Sequence, residues 1–183
     1  IKAGHKIIFA NDIDPDSCNT YRKNISKNIL CSNISEIKIS DIKNFDLLIG
    51  GFPCQGFSRA NIHQIEGDSR NNLYLHILKF LKIKKPNFFL LENVKNIISF
   101  NGGRDFEEIN LALTECGYNV KFKVLNAADF GVPQNRQRVF IYGERKDLNL
   151  NIFRFPNPTH SKSNKNGLRS WKSIGEALSE INK

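Results

Sequence analysis

The chain has 183 residues, of which 40% are hydrophobic and 25% charged, a composition typical of a soluble globular protein with one sizeable core. No apolar run approaches the roughly 18 residues that a membrane-spanning helix needs, and nothing resembles a signal peptide, so a cytoplasmic protein is expected. Basic residues outnumber acidic ones by 27 to 18, which favours an anionic partner such as nucleic acid, although Lys- and Asn-rich usage in an AT-rich genome gives the same excess.

Strand-like and helix-like segments alternate along the chain, which predicts an α/β fold with a largely parallel sheet. Strands are expected at residues 6–10, around 37–39, and at 45–49, 87–91, 120–125 and 138–142. Helices are expected after the cap at Asp14, from Leu73 to the Lys84-Lys85-Pro86 stop, over residues 105–116, and after a Ser173/Glu176 capping box. Residues 59–72 are polar and are predicted to form a long functional loop.

Three chemically capable residues follow predicted strands. They are Asp12, Cys54 and Glu92. Ligands of such sheets bind beyond the carboxyl ends of the strands, so the three are expected to meet at one site.

The four cysteines are widely spaced and include no Cys-x-x-Cys pair, so reduced thiols are expected rather than a zinc site or disulfides. Cys54 differs from the others because it lies in Gly-Gly-Phe-Pro-Cys-Gln-Gly-Phe-Ser directly after a strand. Glycines allow a tight turn there, and Pro53 fixes the main chain just before the thiol. A small buried hydrophobe is the alternative interpretation of Cys54.

Three motifs in this order carry a resemblance to a known family. They are Phe52-Pro53-Cys54-Gln55, Glu92-Asn93-Val94 and Gln134-Asn135-Arg136-Gln137-Arg138. Over residues 1 to about 160 the chain resembles the central catalytic segment of DNA (cytosine-5) methyltransferases. The resemblance implies a Rossmann-like S-adenosylmethionine-dependent methyltransferase fold, with a mostly parallel sheet, helices on both faces, and both ends incomplete.

The resemblance also implies the catalytic roles. Cys54 would add to carbon 6 of cytosine, which makes carbon 5 nucleophilic enough to accept a methyl group. Glu92 would bond ring nitrogen 3 and the exocyclic amine and supply a proton, and Arg138 would contact the base oxygen. Arg136 would support Arg138 or bind phosphate. The alternative for Glu92 is a helix-capping or salt-bridging carboxylate, and the alternative for both arginines is a pair of surface ion pairs.

S-adenosylmethionine is the cofactor that the resemblance implies, and no metal is expected. Asp12 would bond the ribose hydroxyls, Ile13 would pack on adenine, and the Asp41 carboxylate would meet the adenine amine. The further positions expected to line the cofactor are Ile42, Gly51, Phe52, Pro53 and Leu73. For Asp41 a plain turn residue is the alternative.

The substrate implied is double-stranded DNA, whose target base must be flipped out to be reached. The loop from Ser58 to Asn72 would fill the gap, unless it is an ordinary surface loop. The residues expected to face the DNA are Gln55, Ser58, Arg59 and Gln134.

The chain departs from the family pattern at both ends. It lacks the Phe-x-Gly-x-Gly cofactor motif, the target recognition region and the final two motifs, so it is expected to be part of a longer enzyme and to have little activity alone. Residues 1–158 are predicted to be a partial catalytic domain, and residues 159–183 a linker and helix. A bacterial or phage restriction-modification role, with a restriction endonuclease as possible companion, follows from the family resemblance. The alternatives are a tRNA cytosine-5 methyltransferase, against which the lack of a Cys-Phe-Thr tripeptide speaks, and an inactive truncated remnant.

Overall fold

The computed structural model describes residues 4–52, 72–163 and 167–179. Its strands are β1 (Asn11–Asp12), β2 (Leu30–Cys31), β3 (Leu47–Gly51), β4 (Phe88–Val94), β5 (Tyr118–Asn126), β6 (Gln137–Arg145), β7 (His160–Ser161) and β8 (Arg169–Ser170). Its helices are α1 (Pro15–Asn24), α2 (Asn72–Lys84), α3 (Arg104–Glu115) and α4 (Ile174–Ser179). No helix within the described ranges is long and apolar enough to cross a membrane.

The central sheet has the strand order β3-β4-β6-β5. β3 and β4 are parallel, whereas β6 is antiparallel to both of its neighbours. Three of these four strands therefore run in one direction, and the sheet is mixed because β6 is inserted between β4 and β5. The connection from β5 to β6 covers residues 127–136, shorter than the dozen or so residues that a parallel crossover needs. The predicted α/β class is confirmed, with this one reversed strand.

α2 and α3 cover one face of the sheet. Leu81 of α2 and Leu113 of α3 are fully buried against Phe89 and Leu91 of β4. Burial of each such side chain contributes about 1.5–3 kcal/mol to folding. Gly143 of β6 is required by this packing, since a Cβ atom there would overlap the Phe89 ring.

The predicted helix signals are confirmed at both ends of the chain. Asp14 caps α1, its carboxylate accepting the N–H groups of Asp16 at 3.3 Å and Ser17 at 3.0 Å. Near the carboxyl end, the Glu176 N–H donates to Ser173 Oγ at 3.1 Å and the Ser173 N–H donates to Glu176 Oε2 at 2.6 Å, which is a reciprocal capping box.

Two predicted strands are wrong. Residues 6–10 are not a strand, and the β ladder begins only at Asn11, where it pairs with Leu30. The region around Ile37 and Ile39 forms two 3₁₀ turns, Ile34–Glu36 and Ile39–Asp41. Asn33 explains the first turn, because its side chain accepts the Ser35 N–H at 3.0 Å and offers the backbone an alternative to a ladder.

The segment after residue 158, predicted to be a linker, packs on the turn between β5 and β6. The Thr159 N–H donates to the Asp129 carbonyl at 2.9 Å, and Trp171 Nε1 donates to Asp129 Oδ1 at 2.9 Å. His160 is buried against the same turn. The predicted domain boundary at residue 158 stays a prediction.

Candidate active site

Glu92 and Arg138 form an ion pair on neighbouring strands. Arg138 lies opposite Val94 in the antiparallel register, so alternation puts its side chain on the same sheet face as Glu92. Arg138 Nε is 2.8 Å from Glu92 Oε1, and Arg138 Nη1 donates to its neighbour's carbonyl, that of Gln137, at 2.9 Å. The Glu92 side chain is 41% exposed and that of Arg138 24%, so the pair remains accessible from solvent.

Asn93 points to the opposite face and is buried. Its Nδ2 donates to the Phe52 carbonyl at 2.8 Å, and its Oδ1 accepts the Val94 N–H at 2.8 Å. Asn93 therefore fixes the main chain at the residue just before Pro53 and Cys54. This role was missed at the sequence level, although strand alternation already indicates that Asn93 and Glu92 face opposite sides.

Part of the predicted site lies outside the described residues. This part comprises Pro53, Cys54, Gln55, Ser58 and Arg59, whose roles stay predictions. Among the remaining cysteines, burial raises the pKa of Cys18 to about 11, with a further contribution from the neighbouring thiol of Cys31. Burial also raises the pKa of Cys116. Both environments disfavour a thiolate, so neither cysteine has the surroundings of a nucleophile.

Asp12 and Ile13 lie where the first parallel pair ends. Asp12 is exposed, its Oδ1 accepting the Asp14 N–H at 3.0 Å, and the Ile13 side chain is 65% exposed. Two thiols donate hydrogen bonds to the backbone of these residues. Cys18 Sγ donates to the Asp12 carbonyl at 3.5 Å, and Cys31 Sγ donates to the Ile13 carbonyl at 4.0 Å. An exposed carboxylate beside an exposed apolar side chain fits a ribose diol next to an adenine ring.

Asp41 and Ile42 lie at the end of the second 3₁₀ turn. Asp41 Oδ1 accepts the Ser40 hydroxyl at 3.1 Å and is 3.7 Å from Lys38 Nζ. Lys84, the last residue of α2, donates its ammonium to the Ser40 carbonyl at 3.0 Å and to the Ile42 carbonyl. Lys84 was predicted only as part of a helix stop, and sequence gave no sign that it holds this turn.

The remaining predicted residues divide between the sheet, the core and the surface. Gly51 lies opposite Glu92 in the parallel register. Phe52 is buried with its ring 5.5 Å from that of Tyr74, and Leu73 packs against the same core cluster. Gln134 and Arg136 are exposed on the connection between β5 and β6.

A cavity of about 660 Å³ opens on the sheet face that carries Glu92, but towards the beginning of β3 and β4. Its lining is mostly apolar and includes Leu47, Phe88 and Phe140. Neither Glu92 nor the predicted cofactor residues line it, but its lining includes Phe140 and Leu125, which pair with Glu92 and Arg138 in the sheet. Within the described ranges no cluster of three or more His, Cys, Asp or Glu side chains could hold a metal ion.

The carboxylate and the guanidinium can together recognise a planar ring through its polar edge. Solved structures of the same fold are methyltransferases. A prophage-encoded E. coli protein, described as a candidate DNA modification methyltransferase, matches with a TM-score of 0.72 and 26% identity over 97% of this chain and 49% of its own. The Dnmt2 methyltransferase of S. pombe matches with a TM-score of 0.64 and 23% identity over the same shares. The fold is therefore that of the S-adenosylmethionine-dependent methyltransferases.

Sequence comparison narrows this class to one family. The C-5 cytosine-specific DNA methylase model matches residues 1–183, and the chain belongs to that family, as the three motifs predicted. Type II methyltransferase M.NgoFVII of Neisseria gonorrhoeae is 40% identical over 183 residues, which are 98% of this chain and 48% of the relative. Type II methyltransferase M.FnuDI of Fusobacterium nucleatum is 41% identical over 164 residues, 90% of this chain and 48% of the relative. The chain spans about half the length of these relatives.

Proposed function

We propose that this chain carries the catalytic residues for transfer of a methyl group from S-adenosylmethionine to carbon 5 of a flipped-out cytosine in DNA, through a covalent Cys54 adduct. The observation that supports this most directly is the Glu92–Arg138 pair, with 2.8 Å between Arg138 Nε and Glu92 Oε1. Glu92 and Arg138 belong to two different motifs and are 46 positions apart in sequence, so their side chains meet only because β4 and β6 are neighbours.

Cys54 begins the reaction by adding its thiolate sulfur to carbon 6 of cytosine, which makes carbon 5 enamine-like. After methylation, a base removes the proton from carbon 5, the bond between sulfur and carbon 6 breaks, and the thiolate is released. Asn93 contributes by holding the Phe52 carbonyl, two residues before Cys54 in the sequence, beside β4.

Glu92 and Arg138 bind the polar edge of the base through hydrogen bonds. Glu92 bonds the exocyclic amine and holds a proton at ring nitrogen 3, which disperses the charge that develops as sulfur adds. Arg138 donates to the base oxygen, a planar donor group being suited to this contact. Without a base the two side chains satisfy one another, so entry of cytosine exchanges their mutual contact for contacts with the ring.

The cofactor supplies an electrophilic methyl group when bound. On this chain Asp12 and Asp41 would bond the ribose hydroxyls and the adenine amine, with Ile13 and Ile42 against the ring. Exposed carboxylates and an exposed isoleucine support that assignment. Gly51, Phe52, Pro53 and Leu73 would complete the lining.

On the DNA side we assign Gln55, Ser58, Arg59 and Gln134 to contacts with the strands, and Arg136 to Arg138 or a phosphate. The excess of 27 basic over 18 acidic residues suits such a polyanion. The type II relatives favour a bacterial or phage restriction-modification system, with a restriction endonuclease of the same specificity as companion and the cytoplasm as location.

The test is methyl transfer by the full-length protein to unmethylated duplex DNA and to tRNA, with the product nucleoside identified by mass spectrometry. We expect 5-methylcytosine in DNA, none in tRNA, and little or none from residues 1–183 alone. Glu92→Gln should lower the rate about 10²–10⁴-fold, whereas Glu107→Gln, at an exposed position on α3, should not. Methylation of a ring amine, or of tRNA only, would contradict the proposal.

A further inference from the structure

The contact between Glu92 and Arg138 depends on the register of β6, which follows the β5–β6 connection. Arg138 meets Glu92 only if β6 keeps its alignment, because a slip of one residue would turn every β6 side chain to the other face. The connection covers residues 127–136, longer than the two to five or so residues of an ordinary hairpin loop. Turn geometry alone therefore does not set where β6 begins.

Asn126 lies at the point where β5 ends and β6 begins. It is the last residue of β5 and pairs with Gln137, the first residue of β6. Its side chain is buried, 7% exposed, between the two ends of the connection. Leu125, its neighbour, pairs directly with Arg138.

The carboxamide of Asn126 binds both ends of the connection at once. Its Oδ1 accepts the Arg136 N–H at 3.0 Å and the Ala128 N–H at 3.4 Å. Its Nδ2 donates to Asn135 Oδ1 at 3.0 Å. A main-chain hydrogen bond from the Ala127 N–H to the Arg136 carbonyl at 3.0 Å also joins the two ends of the connection.

We propose that Asn126 is a positioning residue for the base-binding arginine: it fixes the entry into β6 and so holds Arg138 at Glu92. This inference rests on the proposed function. Asn126 holds Arg136 through its backbone N–H, and Arg138 is the second residue of β6, two positions further on. Strand alternation then puts the Arg138 side chain on the sheet face that carries Glu92. Asn126 itself is buried and needs no contact with the substrate.

The experiment is a double-mutant cycle in the full-length protein. Single-turnover rate and KM for duplex DNA are measured for the wild type, Asn126→Ala, Arg138→Ala and the double variant. We expect Asn126→Ala to lower the rate at least about tenfold on its own and to change it by less than about twofold once Arg138 is removed, because residues that act through one another show coupled, non-additive effects. Asn119→Ala, an exposed asparagine at the other end of β5, is the matched control and should keep the wild-type rate.

A spectroscopic signal separates positioning from general destabilisation. The ¹H–¹⁵Nε resonance of Arg138, assigned by its loss in Arg138→Ala, should shift in Asn126→Ala and stay in place in Asn119→Ala. If Asn126→Ala does not fold, the same cycle is made with Asn126→Asp, which keeps an acceptor for both N–H groups but replaces the donor to Asn135 Oδ1 with a carboxylate oxygen that repels it.

Either of two results would overturn this inference alone, and either of two others would reject the proposed function as well. Equal rate losses from Asn126→Ala with and without Arg138, or an unshifted Arg138 resonance, would show that Asn126 does not act through Arg138. A wild type that makes no 5-methylcytosine, or an Arg138→Ala variant with the wild-type rate, would instead reject the proposed function and this inference with it.

Discussion

Adjacent residues on β4 do two different jobs at the candidate site. Glu92 faces the accessible side and pairs with Arg138, while Asn93 faces the core and holds the Phe52 carbonyl at 2.8 Å. A strand allows this because successive side chains point to opposite faces. The proposed base-binding group and the support for the segment that precedes the predicted nucleophile are therefore fixed by a single piece of backbone.

Replacing Asn93 tests the second of these jobs. Asn93→Ala removes the buried hydrogen bond to the Phe52 carbonyl, so we expect the free energy of unfolding to fall by about 0.5–1.5 kcal/mol. Covalent adduct formation should slow by more than the loss of folded protein explains, because the chain at residue 53 is released. Urea unfolding and adduct formation with 5-fluorocytosine DNA measure the two effects. Asn96→Ala, at an exposed position just after β4, is the control, and equal behaviour of the two variants would contradict this role.

The candidate site residues that belong to a motif could be predicted from the sequence. The residues that hold the site's backbone in place through distant contacts could not. Glu92 and Arg138 were named from their motifs, and the structure places them 2.8 Å apart. The support from Asn93 and from Lys84 joins side chains to carbonyls more than forty positions away. Such contacts leave no local pattern, because a side chain that donates to a distant carbonyl looks like any other polar residue.

At the scale of elements, the long strands and helices were predictable and the short ones were not. β4 alternates regularly between buried and half-buried residues, and α3 buries one face at helical spacing. The β1–β2 pair has only two residues on each strand, too few for any alternation to show. The reversed direction of β6 follows from the length of its connection, which sequence does show, but its place between β4 and β5 depends on packing.

The turn between β5 and β6 is also held from outside by the segment that follows residue 158. Gly131, with φ +84°, directly follows the 3₁₀ turn Ala127–Phe130 of this connection. A Cβ atom at Gly131 would lie 2.8 Å from Cε1 of the buried His160 ring. Gly131→Ala should therefore strain both the backbone and the His160 contact.

A second glycine separates the two effects. Gly117 has φ +94° but open space around it, so Gly117→Ala carries only the backbone cost of about 1–2 kcal/mol. We expect Gly131→Ala to lower the free energy of unfolding, measured with urea, by at least about 1 kcal/mol more, in line with the cost of overpacking. Equal losses in the two variants would mean that His160 does not pack on the turn as described.

At the scale of the whole molecule, the proposed reaction would use residues contributed by several parts of the chain. The proposed base-binding pair comes from β4 and β6, the predicted cofactor residues come from the end of β1 and from the turn held by Lys84, and the predicted nucleophile follows Phe52 in sequence. The family match covers residues 1–183, while the relatives are about twice as long. The central claim is that Cys54 is the one cysteine that bonds to the base.

That claim is tested by trapping on duplex DNA made with 5-fluorocytosine, in which fluorine at carbon 5 blocks release of the enzyme. The full-length protein with S-adenosylmethionine should form a denaturation-resistant adduct, and peptide mapping should place the bond at Cys54. Cys54→Ser should form none, while Cys116→Ser, at a half-buried cysteine of raised pKa, should form it at the wild-type rate. An adduct that survives in Cys54→Ser, or one that maps to another cysteine, would contradict the account.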